Sequence, residues 1–193
     1  MQHNKPITIL GINPGARYLG IAIFHGAELR DWSVKVIKGE WSKEKMEKIR
    51  DIVSDLIEQH QPDVLAIKKL HPSRSSKELD KLVDEIKMLA EARKMPVYEF
   101  PIKFVEAFIS PIKKIDKWKL AALMVEKYSM LFKEWEKENE KRRKEIEKGN
   151  GEEKYIKYGY YMRMFEAVFV AYVCFRQLDR QSDIARLYDT HLR

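Results

Sequence analysis

The chain has 193 residues, 45% of them hydrophobic and 35% charged, with a formal net charge of +7. That length suits one domain with a full core, and the hydrophobic share excludes a disordered chain. The single cysteine, Cys174, excludes an internal disulfide, and the longest apolar stretch, Ala167–Phe175, falls far short of the roughly 20 residues that span a bilayer. The positive excess favours a polyanionic partner such as nucleic acid. With no N-terminal targeting segment visible and Cys174 read as a small buried hydrophobe, the expected setting is reducing and cytoplasmic, away from membranes.

Three strands open the chain. Ile7–Ile12 is nearly all apolar, as in a central strand buried on both faces. Asn13-Pro14-Gly15 turns it, and Leu19–Phe24 returns antiparallel. After His25-Gly26-Ala27-Glu28, the segment Leu29–Ile37 alternates: Trp32, Val34 and Val36 on one face, Ser33 and Lys35 on the other. Ser42 then caps a helix running to about His60, with Met46, Ile49, Ile52, Val53, Leu56 and Ile57 on one face.

Pro62 breaks the chain, and Val64–Ile67 is a short apolar strand. The polar, basic loop His71–Ser76 follows, and Ser76 caps a helix whose apolar face carries Leu79, Leu82, Val83, Ile86, Leu89 and Ala90. Val97–Phe100 is another short strand, followed by a segment with helical spacing that ends at Ser110-Pro111. A helix starts near Asp116 and carries Leu120, Leu123, Met124, Lys127 and Leu131.

From Lys133 to about Lys154 nearly every residue is Lys, Glu or Arg, with Trp135 and Ile146 the main exceptions. This predicts a charged insertion at about 133–154, solvated or giving way to a loop around Gly149-Asn150-Gly151; the sharper reading is an arm that touches a partner. Tyr155–Leu178 reads as a strongly apolar helix, and the tail, 179–193, carries Ile184, Leu187 and Tyr188 at helical spacing. The expected architecture is therefore one α/β domain, residues 1–178, plus that tail. Its mixed sheet is a three-stranded antiparallel meander followed by parallel strands, flanked by helices.

The order of elements, together with ILGINPGARYLGIAI, resembles the RNase H-like superfamily, and within it the RuvC group of Holliday-junction resolvases. That family's first strand ends in Gly-Ile-Asp-Pro-Gly with a further glycine downstream. Gly11, Ile12, Pro14, Gly15 and Gly20 match, and Asn13 stands at the aspartate. The second family carboxylate follows Ala-Ile; here Ala66 and Ile67 match and Lys68 stands in its place. The last two lie three apart on the C-terminal helix, where the alignment sets Arg163 and Glu166, the latter followed by Ala167.

The resemblance implies two-metal phosphodiester hydrolysis, with cations about 4 Å apart that need several carboxylates. Of the four family positions only Glu166 is acidic, and Lys68 and Arg163 add positive charge. A lysine and a divalent cation at roughly 4–5 Å repel by several kcal/mol even at an effective dielectric of about 20. No catalytic set is expected to be intact, and the metal expectation is none, or at most one weakly held ion at Asn13 and Glu166. Mg2+ or Mn2+ enters only with residual nuclease activity.

The leading expectation is thus a catalytically inactive RuvC-like protein that binds branched or double-stranded DNA. Arg17, Lys68, Lys69, His71, Arg74 and Lys117 are its candidate contacts to nucleic acid. The bland alternative pairs Lys68 with Glu166 and Arg163 with a nearby acid. A homodimer is implied by the resemblance alone, although an apolar face on the helix at Ser76–Lys94 would be consistent with one. Two other classes stay open: a protein–protein module using the charged arm or the tail, and an endonuclease with displaced ligands, for which Asp63, Glu99 and Glu106 are the spare acids. Tyr155, Tyr158, Tyr160 and Tyr161, interleaved with Lys154 and Lys157, have the pattern of a base-stacking surface. The same pattern fits the start of a buried helix, which is the reading preferred here.

Overall fold

The computed structural model describes residues 5–147 and 159–191, apart from the side chains of Arg74 and of 182–191. Six consecutive uncharged residues, Thr8–Asn13, form β1, and all six are buried. A strand with no polar face belongs in the middle of a covered sheet. β1 pairs antiparallel with β2 (Tyr18–His25) and parallel with β4 (Val64–Lys69). With β3 (Glu28–Val36) and β5 (Val97–Pro101) at the edges, the order is β3-β2-β1-β4-β5, the mixed sheet the sequence predicts.

One face is covered by α1 (Lys43–His60) and α2 (Lys77–Ala92). Ser42 and Ser76 cap them by accepting the N–H of Lys45 and of Leu79, each at 3.2 Å. Leu10, Ile12, Ile21, Leu65 and Ile67 of the sheet pack against Ile49, Val53, Leu82 and Ile86. The apolar stripe of α2 is therefore occupied inside the body, and it is no free face for a second copy. Met88, 61% exposed, is what α2 leaves outside.

The other face carries α6 (Tyr161–His191), which crosses β2, β1 and β4. Around it pack α3 (Ile102–Ile109), α4 (Lys117–Lys127) and α5 (Phe132–Glu147). Its run from Phe165 to Cys174 is buried but for half-buried Tyr172, and its one charge is Glu166. Such all-round burial explains why this helix is apolar on every side. α6 also continues past the boundary expected at Leu178, so the segment read as a separate tail belongs to the same helix through His191. The side chains of Ile184, Leu187 and Tyr188 lie outside the described residues.

The helix that begins after Asp116 does not run on into the charged stretch. It stops at Tyr128, whose ring meets Phe24 edge-on at 5.6 Å and whose hydroxyl donates to the Ala27 carbonyl at 3.0 Å. A 3-10 turn, Ser129–Leu131, then leads into α5.

Nor is that stretch wholly solvated. One side of α5 lies on the body: Trp135 packs 5.8 Å from Trp118 and 6.2 Å from Phe165, Glu138 is buried, and Arg142 lies over the Trp118 ring at 4.8 Å. Backbone N–H groups of Gly159 and Tyr161 donate to Glu138, which ties α5 to the start of α6. Burial pushes the Glu138 carboxyl up, and those donors only partly offset the rise. Residues 148–158, with Gly149-Asn150-Gly151, Lys154, Tyr155, Lys157 and Tyr158, lie outside the described residues. Among the described residues, no helix is long and apolar enough to cross a membrane.

Candidate nucleic-acid interface

Alternation along the strands decides what faces α6. On β1 these are Ile9, Gly11 and Asn13; on β4 they are Val64, Ala66 and Lys68. Ile12 is paired in register with Ile67, so Asn13 and Lys68 are neighbours on one face. Glycine lets the helix come down onto that face. A methyl group at Gly11 would lie 2.5 Å from the Ala167 carbonyl oxygen and 2.7 Å from Ala171 Cβ, and one at Gly20 would collide with the Arg163 carbonyl. The close approach sets Glu166 directly beside Asn13 and Lys68.

Both oxygens of the Glu166 carboxylate are engaged by cations. Asn13 Nδ2 donates to Oε2 at 2.6 Å, and Lys68 Nζ donates to the same oxygen at 2.6 Å. Lys117, the first residue of α4, pairs with Oε1. A cation in the first turn of a helix opposes the helix dipole, so Glu166 supplies its compensation. Asn13 Nδ2 also donates to the Arg163 carbonyl at 3.2 Å, while Asn13 Oδ1 is buried with no hydrogen-bond partner among the described residues.

Burial alone would raise the Glu166 carboxyl, but Lys68 and Lys117 more than offset it and hold it at about 2. Burial likewise pushes Lys68 down, and Lys117 and Arg163 add to the shift. Glu166 opposes them without cancelling them, leaving Lys68 at about 8. Arg163, one turn before Glu166, is half-buried. A methyl group at Gly15 would lie 3.7 Å from its guanidinium. Among the described residues no acid pairs with Arg163, so the bland expectation holds for Lys68 and fails for Arg163. The site therefore sets three cations, Lys68, Lys117 and Arg163, around one anion and a neutral amide.

The other candidates fall elsewhere. Arg17 is exposed on the turn after β1, over the Tyr18 ring at 5.5 Å, and Lys69 is exposed at the end of β4. His71 is exposed and accepts the Ser73 N–H at 3.2 Å, starting the 3-10 turn Pro72–Arg74. The side chain of Arg74 lies outside the described residues. Of the spare acids, Asp63 accepts the Thr8 N–H at 2.7 Å, at the far end of β1. Glu99 pairs with Lys87 of α2 at 2.9 Å, and Glu106 with Lys103 at 2.7 Å. Lys117 was legible as a basic residue at a helix start, but nothing in its spacing marked it as a partner of Glu166.

An antiparallel meander continued by two parallel strands, with a helix laid across the open face, is an RNase H-like α/β fold. The family model described as crossover junction endodeoxyribonuclease RuvC matches residues 9–137, well over half of the chain. The chain belongs to the RuvC family. Two solved structures share the fold. The yeast mitochondrial Holliday junction resolvase is 16% identical with a TM-score of 0.58, the match covering 95% of this chain and 85% of that one. The Thermus thermophilus RuvC structure is 19% identical with a TM-score of 0.53, covering 62% and 78%. No curated protein matches the sequence.

Proposed function

We propose that this RuvC-family chain binds branched or double-stranded DNA through the cationic site between β1, β4 and α6, and that it does not cut. The observation that carries the reading is the charge balance: Lys68, Lys117 and Arg163 against Glu166 alone, a surplus of two positive charges. The residues gathered there do not fit a pair of divalent cations. Their one carboxylate is already held by two ammonium groups and an amide N–H, and Lys68 and Lys117 each engage one of the oxygens a metal would need. Arg163, free of any acid among the described residues, is the group best placed to meet a backbone phosphate, with Lys68 and Lys117 supplying the field behind it.

Support for the other classes is thin. Asp63, Glu99 and Glu106 are engaged with other groups, so a displaced metal site finds no ligands in them. The arm offered to a protein partner has one side on the body, through Trp135, Glu138 and Arg142. The family's two-fold junction substrates support two copies per junction, and sedimentation with a junction tests that stoichiometry. The lone buried Cys174 fits a reducing cytoplasm.

Titration of a fluorescent four-way junction and a plain duplex at rising salt tests the reading. Affinity falls steeply with salt, and Arg163→Gln lowers the slope by about one ion. No binding at low salt, or junction cleavage in manganese, overturns it.

A further inference from the structure

Next to the cationic site, the structure brings together aromatic side chains that the sequence scatters. Tyr18 opens β2, and Tyr160 and Tyr161 stand at the start of α6. Their rings form a short column: Tyr18 to Tyr160 is 6.0 Å between centroids, and Tyr160 to Tyr161 is 4.1 Å at 32°. Each end of the column carries a cation. The Arg17 guanidinium lies over Tyr18 at 5.5 Å, and Lys137 Nζ lies 5.6 Å from the Tyr161 ring centre and 3.3 Å from its hydroxyl. Tyr160 is 38% exposed, and Arg17 and Lys137 are exposed. The column abuts the cationic site through Gly15. A methyl group there would lie 2.6 Å from the Tyr18 carbonyl oxygen and 3.7 Å from the Arg163 guanidinium.

Tyr161 and Met162 do begin a buried helix, as the sequence suggests, whereas Tyr160, just before it, stays exposed. We propose that Tyr18 and Tyr160 form a stacking platform for an unpaired base of the same DNA whose backbone meets Arg163, with Arg17 and Lys137 neutralising the flanking phosphates. Rings stack on any base, so the platform recognises an unstacked nucleotide rather than a sequence. The inference rests on the DNA-binding reading above. It adds a preference within it, for a strand that leaves the duplex.

The test uses the full chain and three labelled DNAs: a plain duplex, the same duplex with an unpaired flap, and a single strand. Tyr18→Leu with Tyr160→Leu weakens flap and single-strand binding about tenfold and leaves duplex binding within about twofold. Tyr18→Phe with Tyr160→Phe keeps the rings and restores wild-type affinity. In the wild type, 2-aminopurine in the flap is quenched on binding, and the leucine variant abolishes the quench. If the folded leucine variant binds all three DNAs as the wild type does, or loses all three equally, the platform is overturned while the cationic site stands. If the wild type binds none of them at low salt, the underlying DNA-binding reading falls and the platform with it.

Discussion

Lys68 Nζ stands 2.6 Å from Glu166 Oε2, with side-chain exposures of only 12% and 3%. The two residues are 98 positions apart and meet because β4 and α6 converge where β1 ends. A cation so deeply placed depends on its anion. Glu166→Gln removes the charge while keeping the shape, so Lys68 and Lys117 are left facing each other uncompensated. We expect a loss of about 3 kcal/mol in urea denaturation, the usual scale for breaking a buried pair from one side. The folded fraction gains DNA affinity, since three cations then face the phosphate with no competing carboxylate.

The same pair sets how stability follows pH. Glu166 titrates at about 2 when folded and near the ordinary carboxylate value when unfolded. Below that ordinary value the unfolded chain binds the extra proton. The contribution of Glu166 is therefore complete above about pH 4.5 and lost as pH falls towards 2, for roughly 3 kcal/mol in all. Lys68 gives a slope of the same sign in a second window, here because deprotonation relieves the cost of a buried ammonium. Its folded value of about 8 lies below its unfolded one, so between about pH 8 and 10.5 the unfolded chain again binds more protons and stability rises with pH. Denaturation midpoints across both windows check that stability rises with pH in each. Glu166→Gln flattens the acid limb, and Lys68→Met flattens the alkaline one.

Much of this was legible in the residues. The apolar run Ile7–Ile12 marked a central strand, and Ser42 and Ser76 marked the starts of α1 and α2 because capping is local chemistry. The meeting of Asn13, Lys68 and Glu166 followed from resemblance, since no periodicity links positions so distant in sequence. What stayed hidden depends on contacts across the fold. The break after α4 is held by the Tyr128 hydroxyl on Ala27, 101 residues away. Glu138 looks like any other acid in a charged run until it receives the N–H groups of Gly159 and Tyr161. Gly11 and Gly20 read as strand residues, yet they matter because α6 rests on them.

Asn13→Asp restores the residue the family pattern carries at this position, and it separates a site altered at one residue from one altered throughout. The added carboxylate would sit beside Glu166, with Lys68 already on the shared oxygen and Lys117 on the other. Two anions then face three cations, which cuts the surplus from two positive charges to one without making room for a metal. The expected result is no cleavage of a four-way junction in excess manganese, together with weaker junction binding, because the surplus of positive charge has shrunk. Cleavage by this single variant would show that the lysines yield to metal.

Gly20→Ala tests whether the seating of α6 creates the site. A methyl group at this position meets the Arg163 carbonyl and, at 3.0 Å, the Met164 amide nitrogen, both backbone atoms that cannot rotate away. The helix must lift from β2, and the strain from overpacking here is about 3 kcal/mol or more. The lift also carries Glu166 and Arg163 away from Asn13 and Lys68, since all four depend on the same close approach. We expect a lower unfolding midpoint together with reduced junction affinity at temperatures where the variant is still folded. Gly39→Ala is the control. Nothing lies within 4 Å of a methyl group there, so its strain is confined to its own positive φ of 90° in a surface turn. It lowers the midpoint modestly and leaves DNA binding unchanged, whereas a Gly20→Ala protein with full affinity would mean that the helix can move without disturbing the site.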